Sequence, residues 1–229
     1  MPFRHFRWWL CTLAALVAAA PTAAQITIDP AVLVIEPGNA RDSNIVVANT
    51  SEDLVMVTVR PRVVAAPGEA DEKVEAQPNP TISGLVATPL RLALEPNERR
   101  AVRLMPTNVA GPTDRVWRVQ IVPAVGPLRS GQSGIAFIVG YDALVIQRAS
   151  DPAPRVSGRR DGNILTLTNI GNSFALVTGI EQCQSVGECV RLPGKRLYAG
   201  QSWSVELGQS GPAEVTIEGV GRRVERQSY

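Results

Sequence analysis

Two cysteines, Cys183 and Cys189, are the side chains of this 229-residue chain that are best suited to covalent chemistry. They lie in the segment CQSVGEC, where an even pair predicts a disulfide bond if the chain is exported. The loop between them is short, so the expected stabilisation is only roughly 2 kcal/mol. A redox-active pair is the alternative, although the spacing is not C-x-x-C and no helical pattern surrounds it. We therefore expect a structural disulfide.

The amino-terminal 24 residues have the pattern of a cleaved signal peptide. Arg4 and Arg7 form a basic start, residues 8–20 form an apolar run, and residues 21–24 supply small side chains for cleavage after Ala24. The run is shorter than the ~20 apolar residues that a membrane-spanning helix needs. We expect cleavage rather than a membrane anchor, so the mature chain is not embedded in a membrane.

Loss of this segment removes the only histidine, His5, and this excludes catalytic centres that depend on histidine. Without histidine the mature chain cannot form a Ser-His-Asp or Cys-His centre or a His-containing zinc site. No acidic pair stands out for carboxylate catalysis, and the sequence has no G-x-x-x-x-G-K loop that would bind ATP. We expect a protein that is not an enzyme and that uses no cofactor or metal ion.

The charge of the mature chain gives no reason to expect a nucleic-acid partner. Loss of Arg4 and Arg7 lowers the 23 basic residues to 21, which equals the 21 acidic residues. A formally neutral chain lacks the excess positive charge with which proteins bind phosphate backbones.

Short valine-rich runs, separated by Pro, Gly, Asn and Ser, predict an all-β chain, and helical periodicity is absent. In the first half we expect strands over residues 26–35, 43–48, 54–64, 85–94, 99–104, 116–122 and 134–147. About seven strands in roughly a hundred residues are typical of an immunoglobulin-like sandwich.

A proline-containing segment, residues 149–154 (ASDPAP), reads as an extended linker between two domains. Beyond it, we expect strands over residues 164–168, 174–181, 190–192, 203–207 and 213–219. They predict a second, smaller β-sandwich over residues 155–229, after a first domain over residues 25–148. Residues 222–229 are polar, and we expect a solvated tail.

Residues 134–147, GIAFIVGYDALVIQ, have the most informative alternation in the chain. A period of two places Ile135, Phe137, Val139 and Tyr141 on one face of a strand. The first half of this strand is apolar, uncharged and free of proline. A segment of this kind promotes aggregation when it lies at an exposed sheet edge. Such a strand is either buried or used for pairing with another chain.

Pro89 and Pro96 bracket one of the expected strands, because proline cannot donate to a ladder. Residues 95–98 predict a hairpin turn, and Arg103 lies in the strand that follows. We expect Arg103 to pair with a nearby carboxylate. Direct contact with a binding partner is the alternative.

Several short motifs follow one another in an order and spacing typical of one family. They are Ile28-Asp29, Val47-Ala48-Asn49, Leu85-Val86-Ala87-Thr88-Pro89, Leu94-Glu95-Pro96, Ala101-Val102-Arg103-Leu104 and Asp114-Arg115. Behind a signal peptide, they resemble the PapD-like periplasmic pilus chaperones over residues 25–148, and more weakly over residues 155–220. The short cysteine loop is typical of a non-classical branch. The resemblance implies two immunoglobulin-like β-sandwich domains in an L-shaped arrangement and a periplasmic location.

The resemblance also implies a mechanism, donor-strand complementation. Such chaperones cap a pilin-like or coat-like subunit and deliver it to an outer-membrane usher, without ATP. They lend alternate side chains of the last strand of the first domain to the subunit's open core. Here these would be Ile135, Phe137 and Val139, with Tyr141 continuing the row. The alternatives are that these side chains face their own core, and that the protein is itself an exported structural or adhesin component of a surface assembly.

One departure from the family concerns the subunit's carboxyl terminus, which two basic residues usually anchor. The resemblance places Val32 and Leu144 at those two positions, and neither side chain can bind a carboxylate. The nearest basic candidates are Arg148, Arg115 and Arg118.

Overall fold

The computed structural model describes residues 25–39, 43–76, 83–124, 138–185, 188–208 and 210–229. The predicted signal peptide and the predicted donor residues Ile135 and Phe137 lie outside these ranges. Within them the chain is all-β, as predicted, with one 3₁₀ turn at Val220–Arg222. None of the described residues belongs to a helix long and apolar enough to cross a membrane.

The strands of the first half are β1 Ile26–Asp29, β2 Val32–Ile35, β3 Asn44–Asn49, β4 Val55–Ala65, β5 Lys73–Ala76, β6 Leu85–Thr88, β7 Arg91–Leu94, β8 Arg99–Pro106, β9 Arg115–Pro123 and β10 Tyr141–Gln147. A four-stranded sheet has the order β1-β3-β8-β6, and a six-stranded sheet has the order β2-β10-β9-β4-β5, with β7 also paired to β4. Side chains from both sheets, such as Ile45 and Val119, form one buried core.

The strands of the second half are β11 Val156–Asp161, β12 Ile164–Asn169, β13 Ala175–Ser185, β14 Glu188–Leu192, β15 Lys195–Leu197, β16 Ser202–Glu206, β17 Ala213–Glu218 and β18 Val224–Ser228. One sheet has the order β11-β12-β16, and the other has the order β14-β13-β17-β18, with β15 paired to β13. Leu165, Leu167, Val177 and Val215 belong to a separate buried core. The chain therefore folds into two sandwiches with separate cores.

Two strands predicted as continuous are each divided at a proline, where the chain changes sheet. Pro30 separates β1, in the four-stranded sheet, from β2, in the six-stranded sheet. Pro89 separates β6 from β7 in the same way. Proline has no N–H to donate, so a ladder does not run through it. The first of these divisions places β2 beside β10.

The strand predicted over residues 134–147 is described only as Tyr141–Gln147, and Ile138–Gly140 lie outside any strand. The register with β9 explains this boundary. Tyr141 is the Cα partner of Ile121, and β9 ends two residues later at Pro123, which has no N–H. By this register Val139 is level with Pro123, which cannot donate to it, and Ile138 lies past the end of β9.

Among the strands that lie outside the predicted ones, one is in a segment with no predicted strand and one is in the predicted solvated tail. They are β5, in a polar stretch, and β18, which pairs with β17 near the carboxyl terminus. Each lies at the edge of its sheet and exposes most of its side chains. Edge strands bury few side chains, so charged residues such as those of β18 do not prevent a strand.

The turn at residues 95–98 is tight, but it does not form a hairpin. The Glu98 N–H donates to the Glu95 carbonyl at 3.0 Å, and the Glu95 N–H donates to Glu98 Oε2 at 2.9 Å. The strands on either side, β7 and β8, belong to different sheets. The turn therefore connects the two layers of the first sandwich.

An apolar cluster and a partly buried carboxylate join the two domains. Val116, Ile146 and Leu144 of the first domain pack with Phe174 of the second. The Asp114 carboxylate accepts hydrogen bonds from the Ala149 N–H at 2.9 Å and from the Phe174 N–H at 2.6 Å. One side chain thus holds both the linker and the start of β13 in the second domain.

We expect Asp114→Ala to lower the free energy of unfolding by about 2–4 kcal/mol, because two backbone N–H groups at buried residues lose their acceptor. Urea unfolding would measure the change. The matched control is Asp71→Ala, in an exposed turn, where the effect should stay within about 0.5 kcal/mol. Equal stabilities of the two variants would contradict this role of Asp114.

Candidate functional site

One edge of β10 is open over its first half. β9 pairs with the whole of Tyr141–Gln147, whereas β2 pairs only with Leu144–Gln147. The Leu144 N–H donates towards β2, to the Ala31 carbonyl at 2.9 Å. Backbone groups alternate in direction along a strand, so those of Asp142 point the same way, before β2 begins. Among the described residues, no strand covers this part of the edge.

The side chains along this segment pass from solvent into the core of the first domain. Val139 is 48% exposed, and Tyr141, two residues later, is partly buried against the core. The Tyr141 hydroxyl donates to the Ile26 carbonyl at 3.1 Å. Ala143 and Val145, on the same face, are fully inside the core. The boundary between exposed and core-facing positions therefore lies between Val139 and Tyr141.

On the opposite face of the same sheet, four residues form a row across four strands, which we call the arginine row. Val32 on β2 pairs with Leu144 on β10, Leu144 pairs with Arg118 on β9, and Arg118 pairs with Arg62 on β4. The positions where the resemblance predicts basic anchors are thus adjacent, but apolar. Positive charge occupies the same row, one and two strands further on.

The arginine row lies at the rim of the contact between the domains. The neighbouring row on the same face contains Val34, Ile146 and Val116, which pack in the interdomain cluster. Tyr198 of the second domain packs against that cluster. Burial raises the pKa of Tyr198, and the charges of Arg196 and Arg118 oppose this rise. Arginines from both domains therefore lie near one phenol group.

Arg62 has a buried donor that makes no hydrogen bond to the described residues. Its Nη2 contacts Asp142 Oδ1 at 2.7 Å, and its buried Nε has no partner among the described residues. Sequence reasoning missed Arg62 because its link to Leu144 exists only through the register of three strands. The pair Arg60 and Arg62, flanking Pro61 in a predicted strand, was the signal available.

The other two basic candidates lie elsewhere. Arg148 is only 3% exposed, donates to Glu36 Oε1 at 3.1 Å and to Ser173 Oγ at 2.7 Å, and stacks on Phe174. Arg115 lies over the Trp117 ring, 5.2 Å from its centroid. Arg118 is the one candidate of the three that lies in the arginine row.

The remaining predicted residues have structural surroundings. The predicted disulfide, Cys183–Cys189, is present and links the paired strands β13 and β14. Pro89 separates β6 from β7, and Pro96 lies in the turn between β7 and β8. Arg103 has an exposed side chain on β8, opposite Asn44 and Thr88 of its two neighbouring strands.

The two sandwiches, with an open edge on the last strand of the first, share their fold with solved fimbrial chaperones. No family model matches the sequence, and no curated protein is detectably similar to it. The solved structures identify the fold. The class 5 fimbriae chaperone CfaA superposes with a TM-score of 0.67 at 20% identity, over 89% of this chain and 98% of that chain.

Two further chaperones are similar over almost the whole chain. SafB of Salmonella enterica, solved with the SafA pilin, gives a TM-score of 0.65 at 13% identity, over 92% of this chain and 98% of that chain. DraB of E. coli gives a TM-score of 0.62 at 14% identity, over 89% of this chain and 95% of that chain. At such identities the similarity defines the fold.

Proposed function

We propose that this protein is a periplasmic chaperone that caps and helps to fold secreted pilin-like or coat-like subunits before their delivery to an outer-membrane usher. The observation that carries the proposal is the open edge of β10, next to an exposed Val139 whose row continues into the core. The similar structures CfaA, SafB and DraB are chaperones by name, which supports the proposal. The predicted signal peptide supports export.

The open edge supplies the first part of the mechanism, which is strand addition. The backbone groups of β10 before Leu144 are free to pair with a strand of the subunit, and backbone hydrogen bonds give affinity that depends little on sequence. A subunit strand parallel to β10, as β2 is, would end where β2 begins. Its terminal carboxylate would then lie beside Leu144 and the arginine row.

The alternate side chains of the donor strand supply the second part of the mechanism, which is insertion into the subunit's core. Ile135, Phe137 and Val139 would enter the open core of the subunit, at ~1.5–3 kcal/mol for each buried side chain. Tyr141, already packed on its own domain, would mark the end of the inserted row. The entropy lost on association reduces the net free energy of binding below the sum of these burial terms. The binding needs no nucleotide. Apolar side chains such as Val139, which would favour aggregation if left exposed, would thereby be buried against the subunit.

Coexpression with a subunit gene from the same operon tests the proposal. We expect a 1:1 complex that co-purifies, and a subunit that resists protease only when this protein is present. A matched sample without the chaperone provides the control. Polymerisation of this protein alone, or its direct binding to a surface ligand without capture of a subunit, would instead support a structural or adhesin role.

A further inference from the structure

We infer that residues 66–72, which connect β4 to β5, form an interdomain strap that fixes the angle between the two sandwiches. The strap belongs to the first domain and binds the turn at residues 198–201, between β15 and β16 of the second domain. The linker and the strap together hold the second domain at two separate points. The inference concerns the free protein and does not rest on the proposed function.

The first reason is the burial of Gln201, which lies in the turn between β15 and β16. Turn residues are usually exposed, yet Gln201 is only 1% exposed. Its Nε2 donates to the Gly68 carbonyl of the strap, and its Oε1 accepts from the Tyr198 N–H at 3.1 Å. One side-chain amide therefore fastens the strap to the turn, and both of its polar atoms have a partner.

The second reason is the fit of Gly68 against the second domain. An added Cβ would lie 2.6 Å from Gln201 Nε2 and 3.0 Å from Tyr198 Cδ2, which is closer than van der Waals contact allows. Gly68 also has φ +76°, a left-handed conformation that glycine adopts without strain. The strap therefore approaches the turn so closely that this position requires glycine.

The third reason is that the strap has a shape of its own. The Glu72 carboxylate accepts a hydrogen bond from the Gly68 N–H at 2.7 Å, and the Glu69 N–H donates to the Ala66 carbonyl at 3.2 Å. The N–H of Gly68 is thus used within the strap, while its carbonyl accepts from Gln201. A loop that is already ordered loses less conformational entropy when it makes a contact.

The fourth reason is the position of the strap across the six-stranded sheet. The linker follows β10 and the strap follows β4, two strands away because β9 lies between them. Two strand spacings correspond to about 10 Å. Near the end of β4, Val64 packs with Tyr198 in the interdomain cluster. A second attachment at this distance prevents rotation of the second domain about the linker.

The test replaces residues 66–72 of the mature protein by Asn-Gly. Ala65 and Lys73 are direct partners, so this two-residue turn closes the hairpin and leaves both strands intact. The measurement is the NMR residual dipolar couplings of the backbone amides in each domain. In the unchanged protein we expect one alignment tensor to fit both domains. In the shortened protein we expect two different tensors, because the domains reorient independently.

Two glycine substitutions test the contact without changing the length of the loop. Gly68→Ala and Gly200→Ala both place a Cβ on a left-handed residue, with φ +76° and +81°, but only the first brings it against other atoms. Gly68→Ala should therefore also give two tensors, whereas Gly200→Ala should keep one. A common tensor in the shortened protein, or in Gly68→Ala if the shortened protein does not fold, would overturn the inference. Equal effects of the two glycine variants would likewise overturn the contact at Gly68.

Discussion

Replacing Val139 by aspartate should weaken subunit capture by at least about a hundredfold while leaving the protein folded. Val139 is 48% exposed in the free chain, so a charge there costs little before binding. In the complex the same position would be buried in the subunit, where an unpaired carboxylate costs several kcal/mol. A loss of about 2.7 kcal/mol already corresponds to a hundredfold change in affinity.

The neighbouring residue provides a control of the same chemistry on the opposite face. Ile138 is 38% exposed, and in an added strand its side chain would point away from the row of Val139. We expect Ile138→Asp to lower affinity by less than about tenfold, measured with purified subunit by co-purification and by competition. Equal losses for the two variants would show that insertion of alternate side chains is wrong. Aspartate at Ile135 or Phe137 should behave like aspartate at Val139.

Asn169→Ala should lower the free energy of unfolding by about 3–5 kcal/mol, one of the largest effects of any single substitution in this chain. Asn169 is fully buried at the end of β12. Its Nδ2 donates to the carbonyls of Ser173 at 2.8 Å and Leu197 at 2.9 Å, and its Oδ1 accepts from the Gly171 N–H at 3.0 Å. Its Oδ1 also accepts from the Arg155 N–H at 3.3 Å, so alanine leaves four backbone groups without their partner.

The matched control is Asn163→Ala, just before the same strand, where the amide is exposed and donates to Glu206 Oε1 at 3.0 Å. For Asn163→Ala we expect the free energy of unfolding to fall by less than about 1 kcal/mol, because water replaces the lost hydrogen bond. Urea unfolding followed by tryptophan fluorescence of Trp203 would report the second domain. A small effect at Asn169 would mean that the loop after β12 holds its conformation without this side chain.

Asn49 has the equivalent place in the first domain, and it belongs to a motif that the sequence already singles out. It ends β3, and its Nδ2 donates to the carbonyls of Leu94 and Asp53. The sequence identifies the motif only through its resemblance to a family. The structure adds the physical reason, because in each domain one buried amide fastens a turn to a neighbouring strand.

Local patterns in the sequence identified most strands of the fold but not all of them, since strands such as β5, β11 and β18 were not predicted. Alternation and turn residues predicted most strands, because every second residue of a strand faces the core and is therefore apolar. They did not reveal the changes of sheet at Pro30 and Pro89. Alternation tells which side chains are buried, and both sheets of a sandwich bury side chains in the same core, so the pattern is the same before and after such a change.

The candidate site was predicted in part for a similar reason. Val139 and Tyr141 are close together in the sequence, so the alternation of the segment is enough to predict that they lie on one face. Arg62 and Asp142 are 80 residues apart in sequence and meet only because β4, β9 and β10 are neighbours in a particular register. Register between distant strands is set by tertiary packing, and a single sequence does not contain an explicit signal for it.

Under the proposed function, the partial coverage of β10 by β2 has a consequence for which subunits fit. Val32 lies where an added parallel strand must end, so it acts as an end-stop that fixes the position of the last residue. A strand shifted by one residue turns every side chain to the opposite face. A subunit extended by a single residue at its carboxyl terminus would therefore present its apolar side chains to solvent, and one extended by two would keep the correct face but leave one pocket empty. The residues that follow Pro30 would thus limit how far the subunit's last strand can extend, whatever side chains that strand carries.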